Sequence, residues 1–498
     1  MRAAAALCAG LAALAIQCGS ASAAQALSEC RLPGLRHSVL CGVVQRPLDP
    51  ARPAGAQIDV HYVVVPAMAR RKLPDPVFML AGGPGQSAID IAPATLALFS
   101  RLNNRRDIVY VDKRGTGRSA PLACADTRHE PLAAQADPNR PFEQLMACQA
   151  ALLKLPYIHA PADLGLFTTT IAMQDLDAVR RQLGATRINL VGVSYGTRTA
   201  LEYQRQFPGA VRRSVLDAVA PPDMALPASF STDGQAAWDA LLRDCEHDPG
   251  CQRRFPSLRT DWPALLKSLP KPVTATPPSG GAAERFQMTR EMLLGAVRGA
   301  LYSPAVAAAL PAAVTQAAAG RYEGLIGLGA LLTSGKTIPT AMGMHFSVVC
   351  AEDMAGPAGT GQAGANPPGA DFGTDPAALY ERVCARWPRG AVPAAFYRVL
   401  PSPAPTLLFS GGLDPVTPPR HGERIAKALG ASARHVVVAN AGHGVMAIGC
   451  ARDVVYRFID AADDRDATAV DATCLSAIPR PPAFQPPGLQ NPPAKADK

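Results

Sequence analysis

The chain has 498 residues, 48% of them hydrophobic and 18% charged, with a formal net charge of +9. That size and balance suit a globular protein with one large core plus an insertion, or with two domains, and exclude a disordered polyelectrolyte. The basic residues are scattered, Arg70-Arg71-Lys72 being the one compact run, so the charge reads as solvated surface and no nucleic-acid partner is expected.

The N-terminus comes first. Arg2 precedes an apolar stretch from Ala3 to Ile16, too short to span a bilayer, and Ala21-Ser22-Ala23 offers small residues at the cleavage positions. Residues 1–24 therefore read as a secretory signal, which makes the expected location periplasmic or secreted. A lipoprotein signal using Cys18 is the runner-up, although Gln17 is larger than such a signal calls for. No later apolar run is long enough for a transmembrane helix, so no stable membrane insertion is expected. Beyond Cys8 and Cys18 the cysteines are Cys30, Cys41, Cys124, Cys148, Cys245, Cys251, Cys350, Cys384, Cys450 and Cys474. An even set fits disulfides in an oxidising compartment. Pairing of sequence neighbours would close short loops, but spacing leaves the connectivity open. With no C-x-x-C and no Cys/His cluster, neither a metal nor another cofactor is expected.

Residues 25–221 carry short runs rich in valine, isoleucine and leucine at 58–66, 76–81, 107–112, 187–193 and 212–217, with an added antiparallel strand at 39–47. Helical stretches such as Met173 to Leu183 alternate with them, which predicts a mostly parallel sheet wrapped by helices. From 222 to 400 strand-like runs give way to alanine-rich helical stretches at 235–244, 290–301, 305–319 and 377–385, separated by Pro/Gly loops at 270–281 and 355–370. This predicts a helical cap inserted between sheet strands, with a mobile 355–370 loop. Residues 401–478 return to strands at 405–411 and 434–439 around the helix His421 to Leu429, and the proline-dense tail 479–498 is expected to be extended or disordered.

The chemistry starts at Gly192-Val193-Ser194-Tyr195-Gly196, a serine on a tight turn between a strand and a helix. A serine hydroxyl needs a base, and the base an orienting acid. In open α/β sheets those partners follow in the order acid, then histidine. Asp414 follows the strand ending at Ser410, and His443 follows the next strand, between Gly442 and Gly444. A bare Asp-Pro turn would also explain Asp414-Pro415. The glycine-rich Gly82-Gly83-Pro84-Gly85, after an early strand, can present a backbone N–H to an oxyanion, with Gly83 and Tyr195 as the expected donors. The run Asp112 to Ser119 follows another strand, and pairing between Asp112 and Arg114 is expected to hold that loop.

With these residues assembled, the chain resembles the α/β-hydrolase fold family, and within it the exported branch of the tripeptidyl aminopeptidase and proline iminopeptidase group. The resemblance rests on G-G-P-G at 82–85, D-x-R-G-x-G-x-S at 112–119, G-x-S-Y-G at 192–196, Val215-Leu216-Asp217 before Pro221-Pro222, Gly411 to Pro415, and Gly442-His443-Gly444. It covers about 39–222 and 401–475. Ala81 stands where the cytoplasmic iminopeptidases usually carry histidine, which favours the tripeptidyl branch. The resemblance implies recognition of a free peptide N-terminus by acidic cap residues, and Glu352 and Asp353 are the candidates; a carboxylate pair can hold an ammonium.

The expected function is an exported serine hydrolase that removes N-terminal residues or short peptides through an acyl-enzyme. A carboxylesterase, amidase or lactonase with the same machinery is the alternative, since fold and triad do not choose the substrate. A non-catalytic binding protein on this scaffold is disfavoured by the complete set of catalytic residue types. The substrate is expected to be a small peptide or ester, and the oligomeric state is left open.

Overall fold

The structure is a computed structural model, and it describes residues 27–127, 130–224, 226–331, 339–356, 371–372 and 375–485. The expected signal at 1–24, the 355–370 loop beyond residue 356 and the tail beyond residue 485 lie outside the described residues.

Eleven strands are described: β1 (Ser28–Cys30), β2 (Val39–Pro47), β3 (Gln57–Val65), β4 (Val77–Leu80), β5 (Ile108–Val111), β6 (Ile188–Val193), β7 (Val211–Asp217), β8 (Lys271–Ala275), β9 (Glu284–Met288), β10 (Thr406–Gly411) and β11 (Ala433–Val438). Nine form one sheet in the order β1-β2-β3-β5-β4-β6-β7-β10-β11. The β1/β2, β2/β3 and β3/β5 pairs are antiparallel, and every pair from β5 onward is parallel. Strands β4 and β5 are buried at every position, as parallel strands covered on both faces must be. Their side chains alternate between two cores. Phe78 and Leu80 join one with the helix Thr169–Gln182, while Val77 and Met79 join another with the helix Ala451–Asp460. This is the expected α/β fold with a mostly parallel central sheet.

The segment between β7 and β10 builds a core of its own around Trp238, Trp262, Phe286, Leu293 and Val297. The Trp238 and Trp262 rings lie 4.4 Å apart, and burial of each aromatic side chain contributes roughly 1.5–3 kcal/mol. Two details differ from the sequence reading. Strands do occur here: β8 and β9 pair antiparallel, with Val273, Ala275, Phe286 and Met288 inward. Each strand has only two inward apolar residues, separated by Thr274 or Gln287 and preceded by Lys271-Pro272 or Glu284-Arg285, too short an alternation to read from the sequence. The stretch 305–319 is two helices, Pro304–Ala307 and Leu310–Ala318, because Pro311 in the first turn of the second has no N–H to continue the first.

The C-terminal segment is ordered further than its proline content suggests. Asn440 donates to Ile478 O at 2.9 Å, Arg480 pairs with Asp244, and the Phe484 N–H donates to Ala308 O at 2.8 Å. The ten cysteines beyond the expected signal pair as neighbours: 30–41, 124–148, 245–251, 350–384 and 450–474. Among the described residues no helix is long and apolar enough to cross a membrane.

Candidate active site

Strand β6 delivers Ser194 to the start of the helix Tyr195–Gln206. Ser194 adopts φ 57° and ψ −126°, a strained conformation for a residue with a side chain, of the kind that structures retain at functional sites. The turn forces the backbones together: a Cβ on Gly192 would overlap the Gly196 carbonyl, and a Cβ on Gly196 would overlap Leu80 O. The Tyr195 N–H is among the first N–H groups of the helix, which have no intrahelical acceptor.

Asp414 follows β10 and His443 follows β11. His443 Nδ1 and Asp414 Oδ2 are 2.8 Å apart. Asp414 also accepts from the N–H groups of Val416 and Thr417, both at 2.8 Å, and from Thr417 Oγ1 at 2.7 Å. An ionised carboxylate accepting this many bonds is well satisfied in a buried setting. Burial pushes the Asp414 carboxyl up, but His443 and these hydrogen bonds outweigh it and hold the group below its ordinary value. For His443 burial pulls down, while Asp414 and then Asp217 push up more strongly, so the imidazole is more basic than usual. Because Asp414 Oδ2 accepts at Nδ1, a neutral His443 leaves Nε2 as the free base position.

Ser194, His443, Gly83 and Tyr195 line one cavity of about 480 Å³. Its walls are mostly apolar, with Ile91, Val193, Met224, Phe230, Tyr302 and Val416 among them. Gly83 has φ +105°, a conformation that glycine adopts without strain. Three contacts fix the glycine loop from outside. Lys113 Nζ donates to Ala81 O at 2.9 Å, the Ala341 N–H donates to Gly85 O at 2.9 Å, and His345 Nδ1 lies 3.3 Å from Pro84 O.

Glu352 and Asp353 are buried beside the cavity rather than among its lining residues. Asp353 holds Arg198 through two 3.0 Å contacts, and Glu352 accepts from the Thr169 N–H at 2.7 Å and from Thr169 Oγ1 at 2.8 Å. Thr169 Oγ1 in turn lies 2.6 Å from Tyr195 Oη. Burial outweighs the Arg198 charge and raises both carboxyls, Glu352 to about 7. Arg198 itself lines the cavity.

Asp112 and Arg114 do not pair with each other. Arg114 takes both oxygens of Asp175, at 2.7 and 3.0 Å, while Asp112 accepts from Ser87 Oγ and from the N–H groups of Ile89 and Arg118. Each fixes the loop through a different neighbour. Sequence reasoning also missed Arg198, Tyr302 and His345. Arg198 and Tyr302 belong to apolar or helical stretches with no motif, and His345 reads as an ordinary core histidine. Among the described residues no group of three or more His, Cys, Asp or Glu side chains could hold a metal ion.

Residues 75–253 match the alpha/beta hydrolase fold family, and residues 370–474 match the TAP-like protein family. The chain is 33% identical over 194 residues to a tripeptidyl aminopeptidase of Streptomyces lividans, covering 37% of this chain and 36% of that protein. It is 26% identical over 231 residues to the serine protease Hip1 of Mycobacterium tuberculosis (strain CDC 1551 / Oshkosh), covering 44% of each. It is 26% identical over 275 residues to carboxylesterase B of the same strain, covering 53% of this chain and 52% of that protein. The chain thus spans between a third and about half of the length of these relatives. The sheet order, the serine turn and the match over residues 75–253 are those of the α/β-hydrolase fold, and the match over residues 370–474 supports its TAP-like branch.

Proposed function

We propose that this protein is a serine hydrolase that removes N-terminal residues or short peptides through an acyl-enzyme on Ser194. The observation that carries the reading is the 2.8 Å contact between His443 Nδ1 and Asp414 Oδ2, with His443 and Ser194 on one cavity. In this mechanism His443 Nε2 takes the Ser194 proton as the hydroxyl attacks the scissile carbonyl. Asp414 holds the imidazole and stabilises the imidazolium, and the N–H groups of Gly83 and Tyr195 receive the oxyanion. His443 then returns the proton to the leaving amine, and water repeats the cycle on the ester. The helical insertion at 222–400 acts as a cap that admits short chains, and the Glu352–Asp353 pair, buried beside the cavity with Asp353 bound to Arg198, adds the negative charge next to it on which recognition of an N-terminal ammonium would draw. The five disulfides favour export, since such bonds persist in oxidising compartments.

A carboxylesterase or amidase is the second reading, and one observation favours it: Arg198 and Thr169 already occupy Asp353 and Glu352. Labelling with a fluorophosphonate probe tests the nucleophile, and Ser194→Ala must abolish it; a mutant that still labels sinks the assignment. Free and N-acetylated peptide amides assayed beside simple esters test the substrate class. Equal cleavage of free and acetylated peptides rules out amine recognition.

A further inference from the structure

Asp217 is the last residue of β7, the strand between the one that leads to Ser194 and the one that leads to Asp414. It lies in register with Val193 on one side and Phe409 on the other. Its backbone carbonyl accepts the Ser194 N–H at 2.9 Å. Its carboxylate accepts the Val445 N–H at 2.8 and 2.9 Å and the Met446 N–H at 2.8 Å, the two amides that begin two residues after His443. One residue therefore holds the candidate nucleophile by its main chain and the candidate base loop by its side chain.

We propose that Asp217 is a positioning residue that registers the His443 loop against Ser194, and that its negative charge supports the imidazolium alongside Asp414. The proposal rests on the serine-hydrolase reading. Two features separate this role from ordinary loop anchoring. Asp217 is 1% exposed and spends its carboxylate on backbone N–H groups rather than on a basic side chain. The charged groups that face it are His443, which favours its ionised form, and Asp414, which opposes it. A second buried carboxylate near Asp414 carries an electrostatic cost, and a neutral amide oxygen could serve the same loop without it. The charge is accounted for by the imidazolium that forms when His443 takes the Ser194 proton. Burial, opposed by the two amides, raises the Asp217 carboxyl to about 6, and Asp217 joins Asp414 in raising His443 from its ordinary value.

The test is the pH dependence of the second-order rate of fluorophosphonate labelling, a readout that needs no knowledge of the natural substrate. In the wild-type protein, protonation of His443 stops the reaction and protonation of Asp217 slows it as Asp217→Asn does, so the logarithm of the rate should fall with a slope greater than one on the acid side. Asp217→Asn keeps an amide oxygen for the loop but removes the charge, and should lower the maximal rate on the order of a hundredfold, the scale of losing one preorganised electrostatic partner in a buried site. It should leave probe affinity within about twofold, reduce the slope to one and move the acid limb to lower pH, because His443 loses a neighbouring negative charge. A rate within threefold of wild type, or a lower rate with an unmoved limb and slope, overturns the proposal. If the asparagine variant does not fold by circular dichroism, the wild-type slope decides alone, and a slope of one is the overturning result. Ser194→Ala tested in parallel keeps the underlying reading separate: labelling that survives in that variant removes the reading and this proposal together, whereas labelling lost there with an unperturbed Asp217→Asn profile removes only the proposal.

Discussion

The backbone N–H of His443 donates to the carbonyl oxygen of Tyr302 at 2.8 Å, and the Tyr302 ring meets the imidazole edge-on with centroids 5.0 Å apart. Tyr302 follows the helix Arg290–Leu301, inside the stretch that interrupts the sheet. The insertion thus roofs the cavity and also holds the proposed base. Tyr302→Ala keeps the main-chain bond and removes the ring. An edge-to-face pair is worth about 0.5–1.5 kcal/mol, so kcat/KM on the best substrate of the panel should fall about two- to thirteenfold. Tyr302→Phe should retain nearly all activity, since the ring and not the hydroxyl makes the contact. An alanine variant with unchanged kcat/KM would dissociate the ring from the site.

A methyl group at residue 196 tests the serine turn directly. A Cβ there would overlap Leu80 O, and Leu80 belongs to β4, pinned on both sides by β5 and β6. The strand cannot yield without breaking its ladder, so Gly196→Ala should cost about 1–3 kcal/mol of stability by overpacking. It should also slow Ser194 labelling beyond the loss of folded protein, because the Tyr195 N–H moves with the turn. Urea denaturation and labelling kinetics measure the two effects, and wild-type values in both would contradict the close approach.

His345 predicts a pH-dependent stability. Pro84 O can only accept, so the facing Nδ1 carries the proton and Nε2 accepts from Tyr380 Oη at 2.8 Å. The ring is buried and neutral, and burial pulls its pKa down to about 4. Between about 6.5 and 4 the unfolded chain binds a proton that the folded state refuses. This contribution is present in full above about pH 6.5 and is lost as pH falls toward 4, and it amounts to about 3 kcal/mol at most. Glu352 and Asp217, whose carboxyls are raised, act in the opposite direction across part of that range. The comparison is therefore between wild type and His345→Gln by urea midpoints at several pH values. The variant should lose less stability on acidification, and parallel curves would contradict a neutral buried His345.

Much of this architecture is legible in the chain because the central strands are short β-branched runs bounded by turns, as in Ile188 to Val193. Ser194, Asp414 and His443 stand out because turn glycines and sheet order constrain where they can lie. Side-chain pairings were less accessible. Arg114 and Asp112 are two residues apart, yet Arg114 reaches Asp175, sixty-one residues on. Arg198 meets Asp353 across 155 positions, a contact that only the packed fold creates. The resemblance assigns Glu352 and Asp353 to amine recognition, but what surrounds a buried carboxylate decides its availability. The β8–β9 hairpin escaped notice because each strand shows only two inward residues among charged and proline neighbours.

The disulfides offer a graded test of how the insertion is tied down. Cys350–Cys384 spans 34 positions and fastens the Glu352–Asp353 turn to the helix Asp375–Cys384, whereas Cys245–Cys251 spans 6. In the chain-entropy account the stabilisation grows with the logarithm of loop length, giving about 4 kcal/mol for the longer loop and about 2 for the shorter. Replacing each pair with alanines should therefore destabilise the protein more at 350/384 than at 245/251, read from urea midpoints under non-reducing conditions. The functional consequence should differ as well. Loss of Cys350–Cys384 releases the turn that carries the acidic pair, so preference for free over acetylated peptide N-termini should narrow. Loss of Cys245–Cys251, which joins the helix Ala228–His247 to the next helix, Pro249–Arg254, should leave that preference intact. Equal destabilisation by the two replacements would mean that packing at the lost sulfurs outweighs loop closure. Equal selectivity in both would detach Glu352 and Asp353 from amine recognition and leave the ester reading of the site in front.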